Sequence, residues 1–230
     1  LVQRLKEHQA TTPEDLVEGV RGLLIRSRVR PQDEPAGGDF QRIAGLLQIA
    51  RDQLGRLYWP AYVVEATLLY DKDNTKDAGA AAMQALALNP SSAEAWSLLG
   101  RMSVDSFNFD GSEQIAEKLN DLAGGPSPAA AIVLARARLR QNDPDGAQEL
   151  IDPMIARFPK LRQLLAVRAA IAALRYDFAQ VDRLLADYDA ISPGSADAVF
   201  EVGKALSEAR QYEPAAKYLA LAAARAPYRA

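Results

Sequence analysis

Three apolar stretches of the chain end in proline at a fixed interval: MIARFP (154–159), DYDAISP (187–193) and LAAARAP (221–227). Their prolines lie 34 residues apart, and Pro90, which follows QALALN, lies 69 residues before Pro159. Because proline cannot continue the interior of a helix, each of these prolines marks a break between two helices. The interval therefore predicts a repeated unit of two helices.

With each proline placed at position 32 of a 34-residue unit, two other positions hold small residues. Position 8 is alanine or glycine in all five units: Ala66, Gly100, Ala135, Ala169 and Gly203. Position 20 is nearly as uniform: Ala78, Ser112, Ala147, Val181 and Ala215. Helices that pack closely need small side chains where they cross, so we expect both columns at helix crossings.

This pattern resembles the tetratricopeptide repeat (TPR), a helix–turn–helix unit of 34 residues with characteristic Trp, Leu, Gly, Ala and Pro positions. The second unit shows it most clearly, with Trp96, Leu99 and Gly100. The last unit carries four matching residues: Gly203, Ala215, Ala222 and Pro227. The resemblance implies an all-α fold, a right-handed α-solenoid of helix–turn–helix (TPR-like) repeats.

Composition agrees with an all-helical chain. The 230 residues include 43 Ala and 29 Leu but only 21 Val and Ile together, and β-branched residues are the ones that strands prefer. The 27 basic and 30 acidic side chains are interspersed and give a net charge of −3. No basic face that would bind nucleic acid is therefore predicted.

Catalytic and metal chemistry is not expected from the residues. The chain has no cysteine and a single histidine, His8, which argues against a histidine-based triad and against zinc sites that need two histidines. Acidic pairs such as Asp143 and Asp145 lie at expected turns, where helix capping accounts for them. We expect no enzyme activity, no metal and no cofactor. No apolar run approaches the roughly 20 residues of a membrane-spanning helix.

The repeats are expected to cover residues 59–227 in five units, about 59–92, 93–127, 128–161, 162–195 and 196–229. Their second helices are predicted near 74–88, 109–123, 143–158, 177–190 and 211–225, with a kink or a late start at Pro153. Residues 1–58 match the repeat poorly and hold two amphipathic stretches, about 13–29 and 39–56. This part is either an irregular, degenerate repeat or a capping helix pair. We expect the native protein to extend beyond both ends of the chain.

In TPR arrays the first helices build a concave face, and the resemblance implies that positions 2, 5, 9, 12 and 13 of each unit point towards it. The candidate partner-binding residues at these positions are two aromatic residues and four cations: Tyr70, Phe200, Arg101, Arg136, Arg140 and Lys204. No lysine stands at position 5, so the carboxylate clamp that some TPR proteins use is not predicted.

The arginines allow two interpretations. Arg136 and Arg140 stand one helical turn apart, where like charges repel by a few tenths of a kcal/mol. Such a pair is suited to bidentate capture of a carboxylate, which together with Arg101 favours an acidic partner. Alternatively, Asp105 on the neighbouring helix neutralises Arg140, and Arg101 pairs with the same carboxylate.

The function that these observations favour is a non-catalytic scaffold for protein–protein interaction, which binds a segment of a partner protein or peptide in the concave groove. One alternative is the TPR recognition arm of a larger enzyme, such as a peptidase, transferase or kinase. Another is self-association through the ends of the array. The excess of 20 Arg over 7 Lys is typical of GC-rich bacterial genomes, and the compartment, cytoplasm or periplasm, is left open.

Overall fold

The structure, a computed structural model, describes residues 12–28 and 39–225 of the chain. The described residues form twelve α-helices and contain no strand. The helices are α1 (Pro13–Arg28), α2 (Asp39–Ile49), α3 (Trp59–Asp71), α4 (Thr75–Leu88), α5 (Ala93–Asp105), α6 (Phe109–Ala123), α7 (Pro128–Arg140), α8 (Pro144–Arg157), α9 (Arg162–Leu174), α10 (Phe178–Ile191), α11 (Asp197–Glu208) and α12 (Tyr212–Arg225). The segment Ala50–Leu54 continues α2 as a π-helix. The fold class is all-α, an α-solenoid of helix–turn–helix repeats.

The second helix of each pair begins within one residue of its predicted start, at Thr75, Phe109, Pro144, Phe178 and Tyr212. In four pairs an Asn or Asp side chain caps this helix by accepting a hydrogen bond from the backbone N–H three residues on: Asn74, Asn108, Asp143 and Asp177. Gln211 takes this place in the fifth pair, where the residue three positions on is Pro214. Proline has no N–H to donate, so a capping side chain would lack this partner.

Two further predictions concern Ser92 as a helix cap and Pro153 inside α8. The hydroxyl oxygen of Ser92 accepts a hydrogen bond from the N–H of Ala95 (3.3 Å), which starts α5 where the sequence NPSSAEAW suggests. Of the kink or late start expected at Pro153, the late start is wrong, because α8 begins at Pro144 and runs through this proline.

The turn inside each pair has the same backbone geometry. The residue at position 15 has φ between 58° and 62° in all five pairs: Asp73, Phe107, Asn142, Tyr176 and Arg210. None of them is glycine, although glycine alone adopts this left-handed conformation without a steric cost. The backbone therefore repeats at the same interval as the columns of small residues.

Both columns of small residues lie at helix contacts, as expected, and all ten residues are buried. A Cβ added at Gly100 would lie 2.8 Å from Cγ2 of Val133 on α7. A Cβ added at Gly203 would lie 2.8 Å from Cγ of Leu219 on α12. Because carbon atoms do not approach this closely, both positions require glycine unless a neighbour moves.

The chain divides into two compact units, one that ends at Leu99 and one that begins at Gly100. In the first unit, α1, α2 and α3 share an apolar core that includes Val17, Val20, Ile43, Leu47 and Leu68. A second cluster lies between α3, α4 and the start of α5. Trp59 and Trp96 pack against this second cluster, so both tryptophans are packing residues.

The second unit is built around α9. Ten of the 13 residues of α9 are buried, and the helix packs against α7, α8, α10 and α11. A helix that is apolar on nearly all sides needs neighbours on all sides to keep it from water. This central position of α9 determines which side chains of the flanking helices meet.

Candidate functional site

Four of the six predicted partner-binding residues lie together in the second unit. They extend from α5, α7 and α11, the first helices of three helix pairs, and three carboxylates lie among them. We refer to these seven residues as the charged cluster: Arg101, Arg136, Arg140, Lys204, Asp105, Glu201 and Glu208.

A bidentate ion pair joins α7 to α11. Arg136 donates from Nε to Oε1 of Glu201 (2.7 Å) and from Nη2 to Oε2 (3.0 Å). The two side chains keep only 19% and 16% of their surface exposed. Burial by itself raises the pKa of Glu201, but the charge and hydrogen bonds of Arg136, with smaller contributions from Arg101 and Lys204, lower the pKa below its ordinary value. Glu201 is therefore ionised at neutral pH.

Two more ion pairs belong to the charged cluster. Arg140 pairs through Nη1 with Glu208 and donates from Nη2 to the backbone carbonyl of Asp105 (3.3 Å). The Nζ of Lys204 lies 2.5 Å from Oδ1 of Asp105. The expected neutralisation of Arg140 by the carboxylate of Asp105 is wrong, because Glu208 supplies that carboxylate and Asp105 supplies a carbonyl.

The ring of Phe107 adds a further contact to Arg140. The guanidinium carbon of Arg140 lies 4.2 Å from the centre of this ring. A cation over an aromatic face is attracted by the ring quadrupole. This contact and the two polar ones hold the Arg140 side chain, which is 15% exposed, in one orientation.

Three short side chains of α9 stand at positions of the repeat that are expected to face the groove. The residues of α9 at positions 5, 9 and 12 are Ala166, Ala170 and Ala173, and all three are buried. Because α9 packs against both α7 and α11, small buried side chains on α9 allow its neighbours to approach it closely.

The two predicted aromatic contacts are placed differently. Phe200 precedes Glu201 on α11 and keeps 37% of its surface exposed. Tyr70 lies near the end of α3, in the first unit, and is half-buried. The structure thus brings the four cations together, adds Phe200 on the helix that carries Lys204, and leaves Tyr70 in the other unit.

Sequence reasoning missed the roles of Glu201 and Glu208. Glu201 stands at position 6, which is not among the positions expected to face the groove. The available signal is the spacing of Glu201, Lys204 and Glu208 at i, i+3 and i+7, which places three charged residues on one face of α11. The spacing alone does not say which helix they face.

Over residues 12–28 and 39–225, no group of three or more His, Cys, Asp or Glu side chains is arranged to hold a metal ion. None of the described helices has the length and apolar character needed to cross a bilayer.

No protein-family model and no curated protein matches the sequence. Solved structures match it along most of its length. The crystal structure of PilW, a widely conserved type IV pilus biogenesis factor, is 17% identical, with 94% of each chain covered and a TM-score of 0.58. PilF of Pseudomonas aeruginosa is 13% identical, with 90% of this chain and 88% of that one covered and a TM-score of 0.56.

A third solved structure names the repeat itself. It is a tetratricopeptide repeat protein from Parabacteroides merdae, 19% identical, with 94% of this chain and 93% of that one covered and a TM-score of 0.52. At such identities the likeness concerns the fold and not the activity. It agrees with the columns of small residues and with the turn that recurs in each helix pair. The chain therefore has the fold of tetratricopeptide repeat proteins.

Proposed function

We propose that the chain is a non-catalytic scaffold for protein–protein interaction, which binds a segment of a partner protein on the face built by its first helices. The observation that supports this most directly is the charged cluster, in which three first helices bring four cations and three carboxylates to one place. Stacked repeats present such faces because each unit buries its apolar side only against its neighbours.

We also propose that the five helix pairs from α3 to α12 are the repeats of this array, about 59–92, 93–127, 128–161, 162–195 and 196–229. Residues 1–58 are then its irregular N-terminal part. The left-handed turn supports this division, because it recurs in every pair from α3 onwards. Among the described residues before Trp59, none has a positive φ.

The proposed contacts are the six residues identified from the sequence: Tyr70, Arg101, Arg136, Arg140, Phe200 and Lys204. The carboxylates of an acidic partner segment would replace those of the charged cluster as partners of its cations. The charged cluster holds four cations and three carboxylates, so one positive charge is in excess. Lys204 and Phe200 are accessible starting points, because 34% and 37% of their surface is exposed. Arg136 and Arg140 are more deeply buried.

Cross-linking from Phe200 tests the proposal. A photoreactive benzoylphenylalanine is incorporated at position 200 in cells that express the chain. After irradiation, the protein cross-linked to this residue is identified. The affinity of that purified partner for the wild type and for Lys204→Ala is then measured by calorimetry. We expect a discrete cross-linked product and roughly fivefold weaker binding by Lys204→Ala, because a rim charge is lost.

The matched control carries the photoreactive residue at Arg183, an exposed position on the second helix α10. The same product from both positions would contradict the proposal, and so would an unchanged affinity of Lys204→Ala. Arg136→Ala is unsuitable as a test variant, because it leaves Glu201 buried without its partner and weakens the fold.

A further inference from the structure

A second surface of the C-terminal unit carries positive charge. It is the loop Arg157–Arg162, which joins α8 to α9, reads RFPKLR and is called the basic loop here. The N–H of Leu161 donates to the carbonyl of Phe158 (3.1 Å) and closes the loop as a tight turn. The side chains of Arg157, Phe158, Lys160 and Arg162 are exposed.

Within the described part of the chain, no carboxylate forms an ion pair with these three cations. Arg162 donates to the hydroxyl of Ser192 (3.3 Å), a neutral group on the loop between α10 and α11. The guanidinium carbon of Arg157 lies 5.4 Å from the ring centre of Phe158. The first turn of α9 contains no acidic residue that would offset Arg162. The cations of Arg136, Arg140 and Lys204, by contrast, are each matched by a carboxylate of the chain.

Apolar groups lie beside these charges. Phe158 keeps 39% of its surface exposed and Ile191, which precedes Ser192, keeps 43%. The hydrogen bond from Arg162 to Ser192 holds the two loops together. The resulting surface offers unpaired cations around exposed apolar side chains, which is complementary to carboxylates interspersed with apolar groups.

We infer that the basic loop is a docking surface for an acidic protein segment that carries apolar side chains between its carboxylates. Guanidinium groups bind carboxylates through paired hydrogen bonds, and Phe158 supplies the apolar contact. A short segment responds to charges within a Debye length of about 8–10 Å, and the three cations of the basic loop lie within six consecutive residues. A long polyanion or an anionic membrane also meets the charge of the whole chain, which is −3 and repels it.

This surface goes beyond the proposed function, because it contains none of the residues of the charged cluster. To test whether the basic loop binds such a segment, the isotope-labelled full chain is titrated with a peptide of repeated Glu-Leu-Asp triplets and followed by NMR. A peptide of repeated Gln-Leu-Asn triplets is the neutral comparison. In residues 157–163 and 191–194, apart from Pro159 and Pro193, which have no N–H, we expect the amide signals to shift with the acidic peptide and not with the neutral one.

The triple variant Arg157→Gln, Lys160→Gln, Arg162→Gln should bind the acidic peptide roughly tenfold more weakly. Its matched control, Arg183→Gln, Arg210→Gln, Lys217→Gln, removes three exposed cations of the same unit and should bind as the wild type does. Equal weakening by both variants would show general attraction between charges and would overturn the inference.

Two other results would also overturn it. Shifts confined to α5, α7 and α11 would place the acidic peptide at the charged cluster, which supports the proposed function and removes the second surface. If the peptide causes no shift while vesicles of phosphatidylcholine and phosphatidylserine bind the wild type and not the triple variant, the basic loop recognises a membrane and not a protein segment.

Discussion

Glu201 accepts both hydrogen bonds that Arg136 donates from α7 to α11, and its carboxylate is largely removed from water. Removing one partner of such a pair costs more than the pair itself contributes, because the remaining charge stays buried without compensation. The same reasoning applies to Arg136. Each residue of this pair is therefore a stability determinant, whatever its role in binding.

We expect Glu201→Gln to lower the free energy of unfolding at pH 7 by about 1–3 kcal/mol, because Arg136 loses its counter-charge. The folded-state pKa of Glu201 is lowered, so its ionisation contributes stability above the unfolded-state pKa, near 4.3. That contribution is lost as the pH falls through the folded-state pKa. The difference between wild type and variant, measured by urea denaturation, should therefore shrink below about pH 4.

Glu113→Gln is the control for this experiment, because Glu113 is exposed on α6 and no partner of it is found among the described residues. It should change stability little at either pH. A loss in Glu201→Gln that stays constant from about pH 7 to pH 3 would show that packing, and not charge, explains the effect.

Gly100→Leu should destabilise the protein by about 1–3 kcal/mol, because its Cβ alone would meet both Val133 and Ile115. Gly22→Leu is the matched control. Gly22 also lies in a helix, but a Cβ there meets nothing within 4 Å. Leucine has a higher helix propensity than glycine, so the control should gain stability. Thermal unfolding measures both, and an equal effect of the two substitutions would contradict the assigned helix crossing.

At the scale of the elements, the turns inside the helix pairs store local backbone strain. Five residues other than glycine adopt a left-handed conformation that costs L-residues roughly 1–2 kcal/mol. Each turn is held by hydrogen bonds to the end of its first helix, such as Arg210 N–H to the carbonyl of Ser207 (3.0 Å). The bonds persist in all five pairs, so packing of the two helices outweighs the strain.

Arg210→Gly should therefore raise the free energy of unfolding by about 0.5–1 kcal/mol, because glycine relieves the strain at a φ of 62°. The larger conformational entropy that glycine gives the unfolded chain offsets only part of this gain. Ala209→Gly, one residue earlier, serves as control, since Ala209 has an ordinary φ of −79°. The control should lose stability. Denaturant unfolding compares the two, and a loss in Arg210→Gly would contradict the strain argument.

At the scale of the whole molecule, each of the two compact units has apolar residues of its own. In the first unit α1, α2 and α3 share one core, and in the second unit the neighbours of α9 surround it. In repeat proteins, stability is approximately a sum of local terms and of terms between neighbours. A defect in one unit should therefore be felt mainly in that unit.

Gly203→Leu tests this locality, because a side chain there would collide with Leu219 of α12. We expect faster hydrogen exchange of the backbone amides in α11 and α12, and unchanged exchange in α1, α2 and α3. Exchange is measured by mass spectrometry on the full chain. Equal acceleration in α1 and in α12 would mean that the two units open as one.

Much of the fold could be predicted because its signals are local. Proline ends helices, Ser, Asn and Asp cap them, and small residues mark crossings, so the second helices were placed to within one residue at their starts. The left-handed turns were not predicted, because Phe107, Tyr176 and Arg210 give no sign of that conformation. At Pro153 only the late start is wrong, since the predicted range 143–158 matches α8 (Pro144–Arg157).

The sequence by itself determined the repeat interval, the helix boundaries and the cations carried by the first helices, since these follow from contacts within a few residues along the chain. Tertiary structure alone decided which charges meet. Arg136 and Glu201 are 65 residues apart, and Lys204 and Asp105 are 99 apart. The first pair joins α7 to α11, which both pack against the alanine-rich α9, and the second pair joins α5 to α11. The helical period determines which side chains share one face of a helix, but not which other helix packs against that face.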